Sequence, residues 1–357
     1  MRPRMILVTG GAGFVGSNLC LHLKARDPEA RVVAFDNLRR RGSELNLPRL
    51  KAAGVEFVHG DIRNPEDLEF DGEADLLLEC SAEPSVLAGF NSSPDYVLKT
   101  NLVGTLNLLE YCRRHGTRML FLSTSRVYPI DSLCNLTMEE TATRFELVGN
   151  QGFAGVSARG ITEDFPLAGA RSLYGATKLA SEMFIEEYAY AYSLEAIVNR
   201  CGVIAGPWQM GKVDQGVVVL WVARHVFGGP LSYIGFGGSG KQVRDVLHIA
   251  DLCDLVDLQI AGFEKLRGSV FCAGGGREVS FSLLELTATC EQVTGKKIPI
   301  RPVAESRPAD IPIYLTDSSK LTAATGWTPR RSVETLVRDT WEWIKANERD
   351  LAPLLGA

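Results

Sequence analysis

Thr9-Gly10-Gly11-Ala12-Gly13-Phe14-Val15-Gly16 decides the fold. It follows a short apolar run, Met5–Thr9, and opens a stretch with helical spacing, Val15–Lys24. Gly10 permits a tight turn, Gly13 lets the backbone approach a pyrophosphate, and Gly16 allows close helix–strand packing. The helix start at Phe14 and Val15 then offers unpaired N–H groups and a positive dipole end to an anion. Asp36 closes the second apolar run, twenty residues past Gly16, where a carboxylate can hold ribose hydroxyls. Its charge repels a 2′-phosphate, so the spacing predicts NAD over NADP, and Asn37 lies beside it. The neighbouring Arg39, Arg40 and Arg41 weaken that preference slightly.

Working outward, apolar runs at 31–36, 55–59, 75–80, 119–123 and 196–201 read as strands. Helical patterns at 95–114 and 174–192 fall between them. Strands alternating with helices imply a parallel sheet covered on both faces. The expected fold is α/β: a Rossmann-like, doubly wound parallel sheet with a smaller mixed α/β substrate-binding lobe. Residues 1–201 form the NAD-binding domain, with 243–275 returning to it; residues 202–242 and 276–357 form the second lobe. Residues 129–171 read as mostly irregular, and loops of that length inside a domain are usually functional or disordered. Asp61-Ile62, beyond the third strand, fits an adenine contact and equally well a helix cap.

Composition excludes several classes. The 357 residues are 45% hydrophobic and 23% charged, which suits one large domain with a smaller partner. Net charge is −5 and no basic run exceeds Arg39–Arg41, so nucleic acid is not an expected partner. That triplet reads equally as a solvated loop or an anion site. Eight cysteines form no Cys-x-x-Cys pair, and five histidines show no ligand spacing; no metal is expected. No apolar targeting segment precedes the first strand, and the most apolar stretch, 216–227, is too short to span a bilayer. The expectation is a reduced, cytoplasmic protein with no membrane partner.

Tyr174-Gly-Ala-Thr-Lys178 sets a phenol and an ammonium four apart, on one helix face. Such a pair alone is common; after a Rossmann fingerprint and a fifth strand it gains weight. With TGGAGFVG, FLSTSRVY, YGATK, Arg244-Asp-Val-Leu-His-Ile-Ala-Asp251 and Arg307-Pro-Ala-Asp310, the chain resembles the extended short-chain dehydrogenase/reductase family along nearly its whole length. That resemblance implies Tyr174 as the base, Lys178 as its charged helper and Thr124 as the hydroxyl that bonds the reacting oxygen. Tyr174 and Lys178 would also touch NAD. It further implies that Ser81, Ala82 and Asn101 line the cofactor, and that Glu83, Ser85 and Ser125 meet the sugar. A homodimer formed by the 95–114 and 174–192 helices follows from the same resemblance.

Two departures narrow the branch. Dehydratases of the family carry an Asp-Glu pair after the threonine, where this chain has Ser125 and Arg126. Common 4-epimerases carry an Asn three residues past the arginine of the sixth strand, where this chain has Val203. Residues 36–47, the Ser-Thr-Ser run, 206–216 and 240–245 resemble instead the CDP-tyvelose (CDP-paratose) 2-epimerases. In that branch Arg244 and Arg307 face the substrate pyrophosphate, supported by Lys212, Gln215 and Asp310. The expected activity is NAD-dependent epimerisation of a nucleotide-sugar through a keto-sugar, at C2 of a CDP-linked deoxyhexose. The alternatives are a nucleotide-sugar 4-epimerase, a reductase or dehydrogenase on a similar substrate, and a non-catalytic NAD sensor. The last has no need of Thr124, Tyr174 and Lys178 together.

Overall fold

A computed structural model describes residues 3–90, 92–211 and 215–356. In chain order it begins β1 (Met5–Thr9), α1 (Phe14–Arg26), β2 (Arg31–Asp36), α2 (Leu47–Ala52), β3 (Glu56–His59), β4 (Leu76–Glu79), α3 (Asp95–Leu98), α4 (Gly104–His115) and β5 (Arg118–Thr124). Then come α5 (Ile130–Cys134), β6 (Met138–Glu140), β7 (Phe145–Leu147), β8 (Val156–Ser157), β9 (Gly160–Ile161), α6 (Leu173–Tyr192) and β10 (Ala196–Cys201). Next are β11 (Val203–Ala205), α7 (Val217–Phe227), β12 (Leu231–Ile234), β13 (Val243–His248), α8 (Ile249–Ala261), α9 (Phe263–Leu266) and β14 (Val270–Ala273). The last are β15 (Ser280–Ser282), α10 (Leu283–Thr294), β16 (Ile300–Val303), β17 (Ile313–Tyr314), α11 (Ser319–Thr325), α12 (Val333–Ala346) and α13 (Glu348–Leu355).

These elements cluster into two compact units. The first comprises residues 1–127, 172–200 and 253–271; the second comprises 128–171, 201–252 and 272–357. The first is built on the seven-stranded Rossmann sheet, in the order β14-β10-β5-β4-β1-β2-β3. β1 pairs in parallel with both β2 and β4, so strand order reverses there and opens a crevice at the carboxyl ends of those two strands. Leu7, Leu77, Met119 and Phe121 line one sheet face with Leu108, Leu109 and Tyr111 of α4 and Ile185 of α6. Burial on both faces explains why these strands read as continuous apolar runs. The helix expected over 95–114 is broken by a π turn at Lys99–Val103.

In the second unit β13 pairs with β11, β15 and β17, and α7, α10 and α12 pack together. Trp221 of α7 donates its ring N–H to Thr287 of α10 at 3.0 Å. Asp245 of β13 is fully buried and accepts the N–H groups of Gly276 and Thr316, both at 3.2 Å. Burial pushes its carboxyl up to about 6. The segment expected to be mostly irregular holds α5 and two antiparallel pairs, β6–β7 and β8–β9. Strands of two or three residues are too short to show a period. That segment clusters with the second unit, whereas the sequence reading drew it within 1–201. Among the described residues no helix is long and apolar enough to cross a membrane, and no cluster of His, Cys, Asp and Glu could hold a metal.

Candidate active site

The turn after β1 is shaped by its glycines. Gly10 has φ 62, in the left-handed region, and a Cβ there would meet the Cys80 carbonyl at 2.8 Å. A Cβ on Gly16 would stand 2.1 Å from the Gly10 oxygen, so only glycine lets α1 lie this close. Gly13 is the N-cap of α1, and no side chain caps that end. The opening N–H groups of Phe14 and Val15 therefore remain for an anion, as a dinucleotide pyrophosphate requires. The residues present fit NAD.

Asp36 lies at the end of β2. Its Oδ1 accepts the Leu38 N–H at 2.7 Å and its Oδ2 the Ala12 N–H at 3.1 Å, which fixes the carboxylate over the glycine turn. Burial raises its carboxyl above the ordinary range, and the Leu38 and Ala12 N–H bonds pull against that. Beside it, Asn37 Nδ2 donates to Asp61 Oδ2 at 2.9 Å. The Arg63 guanidinium pairs with Asp61 and, with the Arg63 N–H and the Asn37 amide, holds it down to about 2. The N-cap position of the next short helix is held by Asn64, without a side-chain capping bond, so Asp61 is not its cap; Ile62 beside it is buried.

α6 starts at Ser172, whose hydroxyl accepts the Gly175 N–H at 3.2 Å. That start sets half-buried Tyr174 and buried Lys178 on successive turns. The Lys178 ammonium lies 4.4 Å from the centroid of the Phe121 ring. Among the three hydroxyls ending β5, Ser123 donates to Glu182 of α6. Thr124 Oγ1 accepts the Arg126 N–H at 3.2 Å, which leaves its hydrogen without an acceptor among the described residues. Ser125 is buried in a 3-10 turn. Glu182 thus claims Ser123, and the Thr124 hydroxyl, at the very end of the strand, keeps its hydrogen for another partner.

Two buried acids escaped the sequence reading. Glu79, last in β4 and level with Phe121, accepts the Thr9 hydroxyl at 2.9 Å. Burial pushes its carboxyl up to about 7, against the pull of the Lys178 charge, the Thr9 hydroxyl and the Ser81 N–H. Glu182 binds Arg200 of β10. A lone acid ending an apolar strand, Leu-Leu-Leu-Glu79, was the available signal.

The loop after β4 is tied down by Asn101, which lies in the π turn. Its Oδ1 accepts the Glu83 N–H at 2.8 Å, and its Nδ2 donates to the Glu83 carbonyl at 3.1 Å and to Thr177 of α6 at 3.3 Å. The amide of Asn101, expected beside the cofactor, thus ties Glu83 of this loop to Thr177 of α6. Glu83 Oε1 accepts the Ser85 N–H at 3.1 Å, closing the same loop.

The remaining expected substrate contacts belong to the second unit. Arg244 Nη2 donates to Asp310 Oδ1 at 2.8 Å and to the Ile311 carbonyl at 2.7 Å, and its Nη1 to the Val243 carbonyl at 2.8 Å. Arg244, expected to face a pyrophosphate together with Asp310, is paired with Asp310, 66 residues away. The Arg307 carbonyl accepts the Asp310 N–H at 3.2 Å, in a turn with Ala309 at φ 59. Arg307 and Gln215 are half-buried. Lys212 lies outside the described residues.

A glycine cradle, an acid at the ribose position and a Tyr-x-x-x-Lys helix on one parallel sheet mark an NAD-dependent enzyme. The chain belongs to the NAD dependent epimerase/dehydratase family, whose model matches residues 6–274. It is 32% identical to the CDP-paratose 2-epimerase of Salmonella typhi, over 96% of this chain and 99% of that one. It is 28% identical to the UDP-glucose 4-epimerase of Bacillus subtilis, over 96% and 97% of the two chains. The NAD complex of Thermus thermophilus UDP-glucose 4-epimerase superposes with a TM-score of 0.75 at 27% identity, covering 96% and 99%.

Proposed function

We propose that the protein is a nucleotide-sugar epimerase that inverts C2 of a CDP-linked deoxyhexose of the paratose/tyvelose type. The carrying observation is the end-to-end likeness to the CDP-paratose 2-epimerase, joined to a Thr124–Tyr174–Lys178 set beside an NAD cradle. Serine and arginine at 125 and 126, where a dehydratase keeps acids, support it further.

Bound NAD supplies a hydride acceptor in the first half of the cycle and a donor in the second. The chain's own residues handle the proton and the oxygen. A phenol near its ordinary value of about 10 is a weak base at neutral pH. The Lys178 cation one turn away favours phenolate, so Tyr174 can take the proton of the C2 hydroxyl. The free hydrogen of Thr124 bonds the same oxygen as it becomes a carbonyl. Inversion requires the keto-sugar to present its other face before Tyr174 returns the proton.

Substrate deuterated at C2 tests this. The inverted product keeps the label in ordinary water, because hydride never exchanges with solvent. Loss of the label overturns the redox mechanism. Inversion at C4 with C2 unchanged keeps the mechanism and favours the second reading, a 4-epimerase, which the likeness to UDP-glucose 4-epimerases supports.

The chain is also read as a homodimer. Leu98 and Val103 near α3, and Met183, Phe184 and Tyr190 on α6, expose large apolar side chains, as an isologous helix-pairing interface needs. A monomer by light scattering at micromolar concentration overturns that. Eight free cysteines, six of them buried, support a reducing cytoplasmic compartment.

A further inference from the structure

Three segments of the first unit meet at one ring. Tyr96, in α3, carries the Arg39 guanidinium 4.0 Å from its ring centroid and the Arg63 guanidinium 5.1 Å from it. Arg39 comes from the loop leaving β2 and Arg63 from the loop leaving β3. Arg63 also donates from Nε to Asp61 Oδ1 at 2.9 Å, and Asp61 holds Asn37. The β2 loop is bent to make this possible. Leu38 has φ 53, a strained value for a branched side chain, and it is held there by the 2.7 Å bond of its N–H to Asp36. Strain of this kind persists only where surrounding contacts fix it, and here they run from Asp36 through Asn37 and Asp61 to Tyr96.

We propose that Arg39, Tyr96 and Arg63 form a latch that closes the adenosine end of the NAD site and sets the rate at which the cofactor leaves. Asp36 takes the ribose hydroxyls, Asp61 and Ile62 border the adenine edge, and the stack joins the loops that carry them. Arg39 and Arg63 come from separate loops; clamped on one ring, the two loops move together. Opening the site breaks two cation–π contacts at once, which is the property a cofactor kept through many turnovers needs. The latch also accounts for the basic run beside Asp36. Arg39, which in sequence invites a 2′-phosphate, is held on Tyr96.

The latch rests on the NAD site and not on the identity of the sugar, so its test contains no substrate. Bound NADH is chased with excess NAD and its release followed by fluorescence. R39A releases NADH roughly two- to fivefold faster than wild type, the scale of one exposed cation–π contact, and Y96A, which removes both contacts, faster again. The double variant is no faster than the faster single one, because both break the same stack. Y96F, which keeps the ring, stays close to the wild-type rate. Arg39 is exposed, so R39A remains informative should Y96A fold poorly. Release at the wild-type rate in R39A overturns the latch. So does R39A losing affinity for NADPH alone, which makes Arg39 a 2′-phosphate contact.

Discussion

Arg200, in β10, grips Glu182 of α6 with Nε at 3.0 Å and Nη2 at 2.8 Å from the same carboxylate oxygen. The other oxygen of Glu182 takes the Ser123 hydroxyl. Glu182 sits one turn beyond Lys178 and two beyond Tyr174. A single buried carboxylate thus pins the reactive helix to the two strands nearest Thr124. Removing one partner of such a pair strands the other charge and costs about 3–5 kcal/mol. Glu182→Ala is expected to lose that much in urea denaturation and to lower turnover as well. A loss under about 1 kcal/mol removes the pin from the account.

Glu79 supplies a pH-dependent stability. Its carboxyl is raised by burial to about 7 from an ordinary 4.5. Below about pH 4.5 both folded and unfolded chains hold the proton, and the site costs nothing. As pH rises from there to 7 the unfolded chain releases its proton while the folded one keeps it, so stability falls. Above 7 the cost is complete, about 3 kcal/mol by linkage. Glu79→Gln keeps an oxygen for Thr9 and carries no charge. Its melting temperature should therefore gain on wild type as pH rises from 5 to 8. A difference that stays flat across that range refutes the assignment.

Asp36 is proposed to set cofactor choice. Its carboxylate is anchored at both oxygens, so it cannot swing away from a 2′-phosphate. Calorimetry on stripped protein should give NAD a clear advantage over NADP, and Asp36→Asn should narrow it by weakening NAD and admitting NADP. Equal or tighter binding of NADP by the wild type overturns the role of Asp36.

What sequence could reveal follows from locality. Gly10, Gly13 and Gly16 are legible because the turn they make tolerates no Cβ at Gly16, and Asp36 lies a fixed helix-plus-strand away. Tyr174 and Lys178 are legible because one helical turn relates them. The Tyr96 stack gathers residues from three segments, each unremarkable in its own stretch. The bonds of Asn101 to Glu83 and Thr177 were not legible, since the π turn that carries it leaves no mark in the spacing of apolar residues. That Arg244 and Asp310 pair could not be read from the sequence, because Asp310 stands far along the chain. Thr124 could not be separated from Ser123 until Glu182 was seen to claim Ser123.

Tyr174 gives the sharpest division between binding and chemistry. It begins α6 just after the Ser172 cap, and its phenol is half-buried while Lys178 is fully enclosed. The proposed dinucleotide cradle is built from other elements, around Gly13 at the start of α1 and Asp36 at the end of β2. Tyr174→Phe keeps the ring and deletes only the group that moves the proton. It should therefore retain NAD at close to the wild-type affinity, measured by absorbance of the purified protein and by calorimetry. Turnover should fall by about 10²–10⁴-fold, the usual worth of general acid–base catalysis. The loss should appear in kcat with little change in KM, since the missing interaction matters in the transition state. A loss well below tenfold rejects Tyr174 as the base. Loss of bound NAD together with activity would instead make the phenol a cofactor anchor, and the proton would have to be sought at Thr124.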